Sequence, residues 1–179
     1  MKKKLFYIVC LLFSVDGLLA QEIEEKEEVK EKRHRVSVVL GHSYLNLGYE
    51  LGNKDVLSIP SFGLDYEYWF KKKWGIGVFS DVELISSKES EELHGGVIDR
   101  RYPVVITLDA LWNPVEHLEF VLGPGVIFEN GEVKDLIRIG LEYDLNIGHH
   151  WDVAPSFFYD HATDGISNLS IGIGIGKSF

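Results

Sequence analysis

From Val36 to the carboxy terminus, bulky apolar residues alternate with small or polar ones in segments of about ten, each ended by charged or turn-forming residues. This period of two puts successive side chains on opposite faces of a strand. It is strictest at the end of the chain. There Leu169, Ile171, Ile173 and Ile175 share one face, Ser170, Gly172, Gly174 and Gly176 the other, and Phe179 closes the sequence. The pattern predicts eight strands, over residues 35–46, 57–70, 74–86, 100–112, 118–129, 135–147, 151–161 and 168–179. The connections at 71–73, 113–117 and 148–150 are short, whereas those at 47–56, 87–99, 130–134 and 162–167 are mostly longer and polar.

The direction of the faces decides the fold class. One parity holds more than thirty large apolar groups, among them Val38, Leu64, Ile76, Leu108, Leu122, Ile139, Phe157 and Ile173. The other holds small residues such as Ser37, Gly63, Gly77, Thr107, Gly140 and Ala154. An eight-stranded barrel is only wide enough inside for its own side chains, so the bulky set must face outward, and an apolar outer band of that extent needs lipid. The aromatic residues agree with this. Phe70, Trp74, Trp112, Trp151 and Phe179 fall beside the short turns, and Tyr44, Tyr102, Phe128 and Tyr159 beside the longer loops. Two girdles of this kind mark the two membrane interfaces. The expected fold is all-β: an eight-stranded antiparallel up-and-down transmembrane β-barrel with both termini at the short-turn end.

The start of the chain reads differently. Lys2, Lys3 and Lys4 precede an apolar run from Leu5 to Val15, and Ala20 offers a cleavage point, with Gly17 as an alternative. Residues 1–20 therefore read as a secretory signal peptide, too short for a spanning helix. Cys10 lies within that run, so the exported chain would hold no cysteine and no disulfide. Removing residues 1–20 takes away three lysines and Asp16 and moves the formal charge from -10 to -12. That acidity argues against a nucleic-acid partner. Residues 21–34 are almost all charged and read as a solvated periplasmic tail, with a partner-binding peptide as the alternative.

The signal peptide, the alternating strands and the terminal Gly-Ile-Gly-Lys-Ser-Phe together resemble the small outer-membrane β-barrel proteins of Gram-negative bacteria, the OmpA/OmpX-like or porin family. The resemblance covers residues 35–179 as a pattern. It implies a cell-outer-membrane location, outer-membrane lipid and lipopolysaccharide as surroundings, and a monomer inserted by the barrel-assembly machinery. In that family the terminal aromatic belongs to the assembly signal, which here implies Phe179 with Ile171, Ile173 and Ile175. Architecture follows from such a match far more than activity does.

The inward parity carries the chemistry. Asp65, Glu67, Asp81, Glu83, Asp109, Glu119, Glu142, Asp144, Asp152 and Asp160 share it with only Arg35, Arg101 and Arg138. Unpaired charges in a dry interior are too costly to keep, so water, cations or protons must enter. A hydrated ionic plug is the first reading and a narrow cation-favouring pore the second. A third reading starts from His161 at the outer, loop end of its strand. With Thr163 it partly resembles the His-x-Ser pair of the lipid A deacylases, although threonine replaces serine, Asp164 stands where the family has asparagine, and residues 168–179 contain no orienting acid. His149 and His150 lack the further ligands of a metal site, and no phosphate-binding loop occurs. No enzyme activity, cofactor or metal is expected. The 87–99 loop, acidic at Glu89, Glu91 and Glu92, is the largest exposed feature and reads first as a solvated loop, with binding of host ligands, lipopolysaccharide or divalent cations as the alternative.

Overall fold

The structure, a computed structural model, describes residues 33–46, 56–85, 102–163 and 165–179. The expected signal peptide, nearly all of the charged tail, the 87–99 loop, Arg101 and Asp164 lie outside the described residues. The strands are β1 (His34–Asn46), β2 (Val56–Lys71), β3 (Trp74–Glu83), β4 (Val104–Val115), β5 (Leu118–Glu129), β6 (Glu132–Tyr143), β7 (Leu145–Gly148), β8 (Trp151–Ala162) and β9 (Ser167–Ser178). β6 and β7 are two parts of one spanning strand interrupted at Asp144, because both pair with β8 in the same register. Each strand is antiparallel to its neighbours, and β1 pairs with both β2 and β9. The result is a closed eight-stranded barrel without a free edge.

The alternation turns out as expected. Leu40, Leu64, Ile139 and Ile173 are exposed on the outer face, while Ser37, Asp65, Thr107 and Gly140 are buried inside. The outer band is an apolar surface no soluble monomer presents, and the chain is an integral membrane barrel. No helix among the described residues is long and apolar enough to cross a membrane; the strands cross it.

Four boundaries depart from the pattern by three residues or more. The third strand ends at Glu83 instead of 86, and the fourth runs over Val104–Val115 instead of 100–112. Tyr102 has a left-handed φ of 45°, and Pro103 follows it without an amide hydrogen, so a regular ladder cannot start earlier. At the other end the strand continues past Trp112 through a register shift before Val115. The 130–134 connection shrinks to a turn at Asn130 and Gly131, whose φ values of 51° and 82° match the two-residue turn that an Asn-Gly pair favours.

Candidate functional site: the barrel lumen

Arg35 enters the lumen from β1 at the short-turn end and is 4% exposed. Its Nη2 lies 2.6 Å from Asp152 Oδ1 and 3.5 Å from Asp144 Oδ1, and its Nε donates to Asp152 at 3.1 Å. Nη1 pairs with Glu67 Oε1 and reaches Glu142 Oε2 at 3.4 Å. The indole Nε1 of Trp69 donates to the second Glu67 oxygen at 2.9 Å. Glycine on β9 makes room for this network. A Cβ at Gly176 would lie 2.6 Å from both Arg35 Nε and Asp152 Oδ1.

Arg138, from β6, organises a second network. Its Nε and Nη2 hold the two oxygens of Asp160 at 2.8 Å each, and Nη2 also donates to Asp81 Oδ2 at 2.8 Å. The guanidinium carbon sits 4.8 Å from the centre of the Phe158 ring. Bidentate pairing and a ring face suit arginine, whose planar fork is less strongly hydrated than an ammonium group. Nearby, Thr107 donates to Asp109 and Ser37 donates to Asp65 at 3.4 Å. Closer to the loop end, Asn168 Nδ2 donates to Glu83 Oε1 at 2.9 Å.

Apolar side chains fill the rest. Phe79, Leu111, Val121 and Phe158 form one buried cluster, with Phe79 and Phe158 edge to face at 5.8 Å. Trp69 packs against this cluster and bonds Glu67, while Phe158 touches Arg138, so the apolar layer contacts both ionic networks. Two further clusters, Leu45 with Ile59 and Ile85, and Val105 with Ile127, Leu136 and Ala162, fill the loop end. The inward face is therefore not restricted to small and polar residues, as the alternation suggested. Glycines on the same or the adjacent strand offset the large ones: a Cβ at Gly140 would overlap the Phe158 ring, and one at Gly77 would meet Phe79 at 2.5 Å.

The lumen residues singled out by parity come together in this way. Asp65, Glu67, Glu83, Asp109, Glu119, Glu142, Asp152, Asp160, Arg35 and Arg138 are buried, and Asp81 and Asp144 are half-buried. Trp69 and Phe158 were missed, although both share the parity of the acids and could have been read from it. At the short-turn end Trp74 and Trp112 stack at 5.9 Å, Trp112 meets Phe120 at 5.5 Å, and Lys177 lies over Trp151. At the loop end Tyr102, Phe128 and Tyr159 face outward. His161 bonds not with Thr163 but with Ser167, Nδ1 to Oγ at 3.0 Å, and Tyr159 donates to the same hydroxyl at 2.9 Å. Beside it, Val78, Ile106, Leu108, Val126 and Ile137 border an apolar hollow of about 990 Å³ on the outer wall.

Closed eight-strand pairing, an apolar outer band and an interior filled by its own side chains describe a transmembrane barrel. The fold is that of the small outer-membrane barrels. Ail, the attachment invasion locus protein of Yersinia pestis, is similar with a TM-score of 0.53 at 18% identity, over 83% of this chain and 99% of that one. Neisserial surface protein A gives 0.56 at 9% identity, over 82% and 97%. The N-terminal β-barrel domain of Pseudomonas aeruginosa OprF gives 0.51 at 11%, over 81% and 97%. No protein-family model matches the chain, and no curated protein matches it. At such identities the likeness carries the fold and leaves activity to the residues themselves.

Proposed function

We propose that the protein is a non-enzymatic, monomeric integral protein of the cell outer membrane, with a lumen that is a structural plug and a structural or adhesive role at its exposed surface. One observation carries this reading: Arg138, Glu67, Glu119, Phe79 and Leu111 are each no more than 1% exposed, so side chains rather than water occupy the section of the lumen that a solute would have to cross. The apolar outer wall, with its hollow of about 990 Å³, fits acyl chains of membrane lipid or lipopolysaccharide. Strand β9, with Ile171, Ile173 and Ile175 facing outward and an exposed Phe179 directly after it, has the form the barrel-assembly machinery reads in the resembling family.

The test is conductance of the refolded barrel in a planar bilayer. A silent barrel supports the plug; stepwise, cation-selective currents would replace it with the pore reading. A surface hydrolase would start from the contact of His161 with Ser167, yet among the described residues no carboxylate is hydrogen-bonded to that histidine to orient it. Lipid A incubated with the protein is expected to keep its mass.

A further inference from the structure

Glu67, Glu119 and Glu142 each direct a carboxylate oxygen to one place in the lumen, with the three oxygens within 4.8 Å of one another and all three residues buried. Glu119 and Glu142 are directly opposed across the β5–β6 pair, where two like charges repel. Glu67 comes from β2, in register with Arg35. Two of the glutamates have protein partners: Glu67 takes Arg35 and Trp69, and Glu142 takes Arg35. Glu119 has none. It is 0% exposed, both of its oxygens are buried, and neither accepts a hydrogen bond.

A buried carboxylate with two unpaired oxygens is costly on its own, and more so beside two others. The local charge makes the cost worse. Five carboxylates, Glu67, Glu119, Glu142, Asp144 and Asp152, surround the single guanidinium of Arg35. Arg35 is turned toward Asp152 and Glu67, so its donors do not reach the Glu119 oxygens. A cation that takes oxygen ligands and carries more than one positive charge answers both the unpaired Glu119 oxygens and the surplus of carboxylates around Arg35.

We infer that Glu67, Glu119 and Glu142 form a site for a hard divalent cation, of the calcium type, at the short-turn end of the lumen. Oxygen ligands suit calcium or magnesium more than softer metals. Calcium bonds oxygen at about 2.3–2.6 Å and tolerates irregular shells, which suits carboxylates from three strands of which two are also held by Arg35, whereas magnesium demands a tight octahedron at about 2.0–2.1 Å. Asp144, whose side chain is 24% exposed, and Asp152, at 12%, line the approach from the mouth and draw cations inward. The bound ion would hold β2, β5 and β6 together across the lumen, an internal clamp independent of what the loops bind.

The experiment uses full-length barrel refolded in detergent free of lipopolysaccharide, which itself binds divalent ions, and stripped with chelator. Calcium is added while heat of binding and the unfolding temperature are followed. The unfolding temperature should rise with calcium concentration, as it does for any ligand that binds only the native state. Glu119→Gln should weaken calcium binding by at least about tenfold while remaining folded in chelator, since it removes an unpaired charge. Glu142→Gln supplies the same test on the opposing strand. Terbium provides a local readout, because Trp69 is bonded to Glu67 and can sensitise its emission. Calcium added to the terbium-loaded barrel should displace the lanthanide and quench that emission. Absence of a calcium effect on the wild type, an undiminished effect in both glutamine variants, or magnesium binding as tightly as calcium would overturn the assignment.

Discussion

Arg138 and Asp160 face each other in register across β6 and β8, and Arg138 donates two hydrogen bonds of 2.8 Å to Asp160 inside the barrel. With Arg138 1% exposed and Asp160 2%, neither charge has a share of water, so each depends on the other. Replacing Arg138 with methionine leaves Asp160 and Asp81 without their cation. Arg138→Met should therefore cost about 3–5 kcal/mol of unfolding free energy, read by urea unfolding of the barrel in lipid vesicles. Adding Asp160→Asn and Asp81→Asn should return most of that loss. A single variant as stable as wild type would show that the pair carries no net stabilisation.

Gly140 is opposite Phe158 in the same strand pair, and its missing side chain is the space the ring occupies. Gly140→Val should destabilise by about 1–3 kcal/mol through overpacking. Combining it with Phe158→Leu should cost less than the sum of the two single changes, because they compete for one volume. Strict additivity in that double-mutant cycle would mean that the two positions do not share space.

Gly131 offers the opposite case. Nothing lies within 4 Å of where its Cβ would be, but its φ is 82°. Gly131→Ala should thus cost about 1 kcal/mol from backbone conformation alone, with no compensating partner substitution. The urea midpoint should shift while the slope stays unchanged.

Phe179 joins the closing seam. Its amide donates to the His34 carbonyl at 2.9 Å, the His34 amide donates back at 3.2 Å, and the two rings stack at 5.7 Å. Deleting Phe179 should reduce the amount of folded protein in the membrane fraction of producing cells by several-fold, with much less effect on refolding into detergent. The heat-modifiable gel shift of the folded barrel measures both. Equal membrane yields would argue against an assembly role for this residue.

Much of the fold was legible because period-2 alternation has one geometric meaning in a barrel this narrow. Once Ile171, Ile173 and Ile175 are assigned outward, Gly172, Gly174 and Gly176 must face inward, and the same reasoning places Asp65, Glu67, Asp109 and Glu142 in the lumen. Turn chemistry is less legible. Asn130-Gly131 is a recognisable two-residue turn, yet the polar residues after it resemble a longer loop, and the left-handed Tyr102 before Pro103 leaves no mark in a hydrophobicity pattern.

Local sequence by itself determined which side of each strand meets lipid, since that depends only on residue parity and on the volume an eight-stranded interior can hold. Which charges meet inside it could not determine. Parity places Arg35 and Glu119 in the same lumen, but strand register, the bulk of Trp69 and the space left by Gly176 decide that Arg35 turns to Asp152 and Glu67 while Glu119 is left without a donor. Contacts across the lumen join residues as far apart as Arg35 and Asp152, and only closure of the barrel brings such pairs within the few ångströms over which hydrogen bonds act.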